Sequence, residues 1–365
     1  MFKQATFLRL TKASEDMADA MDLQQFAPLG ASTQDKSVGW VPPRGEEHGA
    51  LLERVGDFVF AKLAIETKTV PSSEINKKLD EVIDQIEEQT GRKPGKKERR
   101  QLKDDILLAL LPNAFPKRKD VAVMIDSVNG YVVIDSATQS VVDEVITFLV
   151  RAGLELTLVQ TNTSPNGFMA QHLIEEEASG SPFFVGRECE LVSTGEDKAK
   201  VTFKNHYLLN QEIHDHLMQG KQVTKLAMTD ERETSFVLTE TLRLKKLKFA
   251  VPEAKGEEQD AFDADAILCG SALSALITDL VQAMGGLYEQ QESSAPAPHT
   301  GDGPDPLYEP ATQLVMNSGK ASISLIQRHL QIGYNRAARM LEQMEVDGLV
   351  SPMQSNGMRQ ILEAA

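Results

Sequence analysis

The chain has 365 residues, a net charge of −16, 41% hydrophobic residues and 25% charged residues. This composition is typical of a folded globular protein and excludes a collagen-like chain, a coiled-coil rod and a disulfide scaffold. The two cysteines, Cys189 and Cys269, form neither a zinc-ligand pattern nor a disulfide framework. We see no apolar stretch of membrane-spanning length and no signal sequence, and therefore expect a cytoplasmic protein without a membrane segment.

Positive charge is concentrated in two regions of this acidic sequence. Residues 92–119 carry ten bases and three acids, and residues 198–248 carry ten bases and six acids. Local charge, rather than net charge, decides whether a surface attracts a polyanion. The pattern predicts an acidic exterior with a basic inner face that accepts DNA.

Helical and strand periods are interspersed along the first 285 residues. Pro71 and the serines after it predict the start of a helix, and residues 91–95 predict its end. A second predicted helix follows and ends before Pro112. Together the two helices would form a helical hairpin with a basic tip. Asn129 and Gly130 predict a tight β-hairpin turn. Further elements are expected as strands at 200–203, 223–228, 235–238 and 244–249 and as a helix at 262–284. The irregular order of helices and strands predicts an α+β fold.

A Gly-, Pro-, Ser- and Ala-rich segment divides the chain. Residues 286–306 have no apolar period, which predicts a flexible linker. The linker separates a body, residues 1–285, from a tail, residues 307–365. The predicted elements of the tail are a helix over 307–317 ended by Gly319, a short helix with a Ser324–Gln327 capping box, a long helix from Tyr334 to about Asp347, and strands at 349–351 and 358–362. This is the order of a winged helix-turn-helix.

The long tail helix has two different faces. Its predicted buried stripe consists of Tyr334, Ala337, Ala338, Leu341 and Met344. Asn335, Arg336 and Arg339 lie on the opposite face, and asparagine and arginine pair bidentately with adenine and guanine. Arg328 on the short helix and Arg359 on the last strand are placed to meet phosphates. An ordinary solvated helix face is the alternative.

Residues 319–352, and above all IGYNRAAR and EQME, resemble the gamma domain of FtsK, the bacterial DNA translocase. The resemblance implies that Asn335, Arg336 and Arg339 read a short G-rich sequence and that the tail contacts and activates the tyrosine recombinase XerD. The chain contains no GxxxxGK[ST] motif and therefore lacks the phosphate cradle of an ATP-driven motor. We do not expect a translocase.

The body resembles RdgC, the recombination-associated protein of bacteria. The resemblance rests on the order of short blocks, which are GWVPP (39–43), LLPNAF (110–115), IDSVNGYVVID (125–135), VTKLAM (223–228), LKKLKF (244–249) and FDADAIL (262–268). It implies a ring-shaped homodimer whose positive hole encircles duplex DNA without sequence preference and limits access of RecA. It also implies that Phe115 is a hydrophobic knob at one subunit contact, with core packing as the alternative, and that Lys204 lies near the other.

The lysines of two predicted strands agree with a basic hole. Lys225, Lys245 and Lys248 alternate with apolar neighbours, so a period of two places lysines on one sheet face and Leu244, Leu247 and Phe249 largely in the core. With Lys246 they are the predicted phosphate contacts of the body, which carry no base information. An ordinary exposed sheet face is again the alternative.

We predict no catalytic residue, cofactor or metal site. His214 and His216 lie two positions apart in a predicted helix, so their side chains would diverge. Asp126 and Asp135 would suit a metal-dependent nuclease, but roles at strand ends are simpler. We expect a non-enzymatic, nucleoid-associated factor that binds double-stranded DNA and activates XerC/XerD recombination. The alternatives are a modulator of RecA and a transcriptional regulator.

Overall fold

Helices and strands are interspersed along the chain. The computed structural model describes residues 2–46, 48–175, 180–195, 198–250, 258–288, 305–319, 321–330, 332, 334–351 and 359–362. The strands of this part of the chain are β1 (Ala5–Lys12), β2 (Lys36–Val41), β3 (Glu53–Val55), β4 (Phe58–Lys68), β5 (Pro116–Asp126), β6 (Tyr131–Ile134), β7 (Glu155–Leu158), β8 (Phe183–Ser193), β9 (Lys200–Lys204), β10 (Lys221–Asp230), β11 (Ser235–Thr239) and β12 (Arg243–Lys248). Its helices are α1 (Met17–Asp22), α2 (Ser72–Thr90), α3 (Lys96–Leu110), α4 (Gln139–Arg151), α5 (Pro165–Ile174), α6 (Gln211–Met218), α7 (Glu258–Ala283), α8 (Tyr308–Ser318), α9 (Ile323–Leu330) and α10 (Tyr334–Val346).

The described strands form one twelve-stranded antiparallel sheet. Its strand order is β2-β4-β5-β6-β1-β12-β11-β10-β8-β9, while β3 pairs with β4 and β7 pairs with β1. Helices that accompany an antiparallel sheet are the α+β combination that the sequence predicts.

The two faces of this sheet are covered differently. On the first face, strands from both halves of the sheet pack against α5, α6 and α7 in one apolar core. On the second face, another apolar core joins β1, β2 and β4–β7 to α4 and to the tail helices α8–α10. This second core contains no described residue of β8–β12, so no apolar layer among the described residues covers the second face of these strands.

A β-bulge in β12 brings its lysines onto this uncovered face. The register between β11 and β12 shifts by one residue, and Lys246 takes a φ of +52° at the shift. Because of the extra residue, Leu244 and Leu247 are both buried in the first core, while Lys245 and Lys248 face away from it. The predicted placement of Lys245 and Lys248 outside the core, with Leu244 and Leu247 inside it, is confirmed. It depends on the bulge and not on strict alternation, which would place Lys246 and Lys248 beside Leu244.

Both predicted hairpins are present. α2 and α3 are joined through Gly91, which has a φ of +69°. β5 and β6 are joined by residues 127–130, with Gly130 also at a φ of +69°. The turn is four residues long rather than two, because the buried Asp126 carboxylate accepts two loop N–H groups at 3.1 and 2.9 Å and organises a wider loop.

The three tail helices agree with prediction except at one start. Gly319 and Gly348 follow α8 and α10 with φ of +66° and +72°. α9 begins at Ile323, and the carbonyl of Ser322 accepts N–H groups of its first turn. The predicted N-cap at Ser324 is therefore wrong by two residues.

The last residues of the tail pair with each other and with the segment before α9. Val350 forms a bridge with Ile361, and Ala321 forms one with Arg359. These bridges occupy the positions at which the sequence predicts the two strands of a wing. Most of the predicted linker, and the turn between the two strands, lie outside the described residues.

The tail packs against the body. α10 lies against β7 at one side of the sheet, and the second apolar core contains residues of both. At this contact, Nε of Arg151 on α4 donates to Oε1 of Glu342 on α10 at 3.0 Å. The apolar core and the ion pair together hold the tail on the second face of the sheet.

One described helix, α7, is long and apolar enough to cross a membrane. Its segment Phe262–Ala283 has a mean hydropathy of 1.6, which departs from the expectation that no such stretch exists. Half of this segment is buried inside the protein, where Leu276 and Leu280 belong to the first core. A single helix of this kind is weak evidence for a membrane span, because core helices have the same composition.

Candidate nucleic-acid interface

Three of the predicted lysines surround one cavity on the second face of the sheet. Strand pairing brings β12, β11, β10 and β8 side by side, although they come from separate parts of the sequence. The cavity has a volume of about 380 Å³ and is lined by Gln4, Ala137, Thr138, Glu188, Lys225, Val237, Lys245 and Lys246. We call the second face of β8–β12 the lysine face, which carries Lys200, Lys204, Lys225, Lys245, Lys246 and Lys248. Ammonium groups on a sheet suit phosphate binding without base readout.

A largely buried carboxylate anchors two of these lysines. Glu190 on β8 accepts Nζ of Lys225 at 2.8 Å, Nζ of Lys200 at 2.6 Å and Oγ1 of Thr224 at 2.9 Å. Its side chain is 12% exposed. Burial alone would raise the pKa of Glu190, but the hydrogen bonds from Lys200, Lys225 and Thr224 outweigh it and lower this pKa to about 2. Glu190 is therefore a fixed anion under the lysine face.

A second carboxylate contacts the lysine of the bulge. Oε2 of Glu188 lies 2.6 Å from Nζ of Lys246, and the Glu188 side chain is 29% exposed. Lys246 itself is mostly exposed, and Lys248 is exposed near the end of β12. The two glutamates alternate with the core residue Cys189, so strand periodicity alone places them on the outer face.

The two predicted subunit-contact residues are both exposed. Phe115 is 93% exposed beside the buried Leu111, so the alternative that Phe115 packs in the core is wrong. Lys204 lies on β9, the last strand of the sheet, opposite Glu188. An isolated exposed phenylalanine and an edge strand are features that a second subunit would cover.

In the tail, Arg336 is paired within the protein. Its Nε and Nη2 donate to Oδ2 and Oδ1 of Asp305, both at 2.8 Å, and the Arg336 side chain is 13% exposed. Asp305 raises the pKa of Arg336 above its ordinary value. The open reading face predicted for Arg336 is thus corrected: its guanidinium group is held by Asp305, which lies near the end of the predicted linker.

Arg359 is also an internal residue. Its side chain is 5% exposed, and its Nη2 lies 3.1 Å from Oε2 of Glu345 on α10. The predicted exposure of Arg359 is therefore wrong, because the bridge of this residue to Ala321 turns it toward α10. Arg339 is exposed as predicted, and the side chains of Arg328 and Asn335 lie outside the described residues.

The apolar stripe of α10 is confirmed for its described members. Ala337, Ala338, Leu341 and Met344 are all buried, and the side chain of Tyr334 lies outside the described residues. Met340 is a further buried residue that the sequence analysis missed. The buried stripe determines which sides of α10 are left for its arginine and glutamate side chains and for the contact with the body.

The candidate nuclease carboxylates are occupied by hydrogen bonds. Asp126 accepts from two loop N–H groups, from Asn129 and from Ser274, and is buried. Asp135 accepts the backbone N–H groups of Lys3 and Gln4, each at 3.0 Å. Both side chains therefore hold backbone segments in place.

The predicted histidines are also engaged in local contacts. Nε2 of His214 contacts the carbonyl of Leu173 at 3.0 Å, and Nδ1 of His216 lies 2.8 Å from Nζ of Lys221. The two rings thus face different neighbours, as the helical spacing predicts.

Both parts of the chain resemble known families. The family model described as "Putative exonuclease, RdgC" matches residues 1–287, and the one described as "Ftsk gamma domain" matches residues 302–364. The recombination-associated protein RdgC of Herminiimonas arsenicoxydans is 38% identical over 274 residues, which cover 73% of this chain and 90% of that protein. The recombination-associated protein RdgC of Burkholderia cenocepacia is 35% identical over 309 residues, which cover 81% and 98%. The chain therefore belongs to the RdgC family and carries an FtsK gamma domain at its C-terminus.

Proposed function

We propose that this protein is a non-enzymatic recombination factor that binds duplex DNA through its body and activates XerC/XerD recombination through its tail. The observation that carries the proposal is the pairing of an uncovered lysine face in an RdgC body with an FtsK gamma domain. The body would supply affinity for any DNA sequence, and the tail would supply the contact with XerD.

The lysine face supports the first half of this proposal. Lys225, Lys245 and Lys246 meet at one concave site, although the whole chain is strongly acidic. Such a local basic surface attracts the phosphate backbone, while the acidic remainder disfavours binding elsewhere. The exposed Phe115 and the edge strand β9 support a homodimer that closes around the duplex.

The tail supports the second half. Three helices followed by a paired C-terminal segment fit a winged helix-turn-helix, and the FtsK gamma match covers this region. A chain without an ATP-driven motor needs another means of reaching the recombination site. Binding of the body to DNA would raise the local concentration of the tail there.

The absence of catalysis is part of the proposal, although one matched family description includes the word exonuclease. Asp126 and Asp135 are the carboxylates best placed by sequence for nuclease chemistry. Both oxygens of Asp126 accept hydrogen bonds, and Oδ1 of Asp135 accepts two backbone N–H groups, so each carboxylate already has a structural role. A structural role for both residues is the simpler account.

The test is a recombination reaction with the purified full-length protein, XerC, XerD and a plasmid that carries two target sites. We expect the protein to stimulate strand exchange without ATP and to leave linear DNA ends intact in the presence of Mg²⁺. Loss of DNA ends would instead support the nuclease. Inhibition of RecA-dependent strand exchange without any effect on XerC/XerD would support the modulator of RecA.

A further inference from the structure

The two glutamates of the lysine face are held with different strength. Glu190 accepts three donors and is largely buried, whereas Glu188 contacts the lysine of the bulge and is more open to water. Removing either lysine from Glu190 would leave this largely buried carboxylate with one donor fewer, which is costly. An exposed ion pair contributes only about 0.2–1 kcal/mol, so the pair of Glu188 breaks easily.

The pair of Glu188 also lies at the cavity itself. Glu188 and Lys246 both line it, together with Lys225 and Lys245. Oε2 of Glu188 contacts the Lys246 ammonium at 2.6 Å, a position that a phosphate oxygen would take on DNA binding. A carboxylate and a phosphodiester compete for the same donor because each carries one negative charge.

We propose that Glu188 is an intramolecular competitor of the DNA phosphates, which holds Lys246 in the free protein and releases it when a phosphate group of duplex DNA reaches the cavity. This inference rests on the proposed binding of DNA by the body. Glu190, in contrast, stays in place and orients Lys225 toward the duplex. The competitor lowers affinity at one contact and raises the dissociation rate, which suits a clamp that moves along DNA.

The experiment compares full-length variants on one duplex by fluorescence anisotropy over a range of salt concentrations. In Glu188→Gln we expect the dissociation constant for the duplex to fall roughly two- to fivefold, because an exposed ion pair no longer has to be broken on binding. We also expect the slope of log K against log salt to steepen by about 0.9, because one more lysine releases a counterion. Glutamine keeps the shape of the side chain, and thermal unfolding checks the fold.

Two further variants distinguish the loss of the Glu188–Lys246 pair from a general loss of negative charge. Glu240→Gln removes one exposed negative charge after β11, close to Thr224. It should tighten binding less than Glu188→Gln does. In a Lys246→Ala background, Glu188→Gln should tighten binding no more than Glu240→Gln does, because the competed donor is gone.

Each result decides the matter. Equal effects of Glu188→Gln and Glu240→Gln, or an undiminished effect in Lys246→Ala, would overturn the competitor while leaving the DNA-binding function intact. Weaker binding by Glu188→Gln with an unchanged melting temperature would also overturn it. Failure of the wild-type protein to bind DNA, by contrast, would remove the proposed function itself.

Discussion

The lysine face of the body and the helix α10 of the tail both carry predicted DNA contacts, but their charges are held differently. On the lysine face, Lys246 is mostly exposed and a single carboxylate oxygen of Glu188 contacts it. In the tail, both oxygens of Asp305 bind Arg336 in a largely buried pair. Bidentate, partly buried pairs are stronger than exposed lysine pairs.

This difference separates a surface that is ready to bind from one that first has to be released. A phosphate would reach Lys246 at little cost, because the pair of Lys246 with Glu188 is open to water. A base edge reaches Arg336 only after Asp305 gives it up. The right residue type on the right helix face is therefore not sufficient for DNA contact, because an internal carboxylate decides whether the side chain is available.

Removal of the three cavity lysines should weaken DNA binding more than any other change proposed for the body or the tail. In a Lys225→Ala, Lys245→Ala, Lys246→Ala variant we expect weaker binding to every duplex sequence. The salt slope should fall by nearly three, since each phosphate contact contributes about 0.9. Anisotropy titrations at several salt concentrations measure both quantities.

A matched variant controls for the loss of positive charge. Lys12, Lys77 and Lys78 are exposed on β1 and α2, outside the strands that carry the lysine face. Their combined replacement by alanine should leave the slope nearly unchanged. If it lowered the slope as much as the cavity variant, no specific phosphate-binding face would exist.

Replacement of Arg359 in the tail should lower stability rather than DNA affinity. In Arg359→Ala we expect the free energy of unfolding of the tail to fall by about 2 kcal/mol, because a largely buried charge-assisted hydrogen bond is lost. Thermal unfolding followed by circular dichroism measures the loss. Weaker DNA binding by a tail of unchanged stability would contradict the internal role assigned to Arg359.

Regular patterns within single elements were predictable from the sequence. The helical hairpin, the buried stripe of α10 and four strands of the second half of the sheet follow from periodicity and turn residues. The bulge at Lys246 was not predictable, because it depends on the register against β11. LRLKKLKF contains a hint of the bulge, because Leu244 and Leu247 are three positions apart and strict alternation cannot bury both.

The carboxylates that pair with Lys246 and Arg336 were not predictable from local sequence patterns. Glu188 lies 58 positions from Lys246, and Asp305 lies 31 positions from Arg336. Such pairs arise from the packing of distant segments, and no local period encodes them. The alternation of Glu188 and Glu190 around Cys189 did indicate an outward face, but not which lysines would meet it.

Release of Arg336 tests the comparison directly. In Asp305→Asn we expect the full-length protein to bind its preferred duplex about tenfold more tightly, equivalent to 1.4 kcal/mol, because one competing charge is removed. Asparagine keeps the acceptor that the Leu307 N–H uses just before α8, so the turn that leads into the helix survives. Competition binding with specific and unrelated duplexes measures the gain.

Two variants complete this test. Glu309→Gln removes an exposed charge in the first turn of α8 and should change affinity little. Arg336→Ala, added to Asp305→Asn, should abolish the gain and relax sequence preference at a cost of about 1–3 kcal/mol. A gain that persists without Arg336 would mean that Asp305 acts on DNA through its charge alone.

The smallest expected effect concerns the contact between body and tail. Arg151 and Glu342 form an exposed ion pair, so Arg151→Ala should change the free energy of unfolding by no more than about 0.5 kcal/mol. The apolar core between α10 and β7 would keep the tail docked, and that core does not weaken with salt. High salt should therefore release DNA from the lysine face while the tail stays on the body, as small-angle scattering at low and high salt can measure. A tail that separates at high salt, or on Arg151→Ala alone, would show that charge rather than apolar packing holds the two regions together.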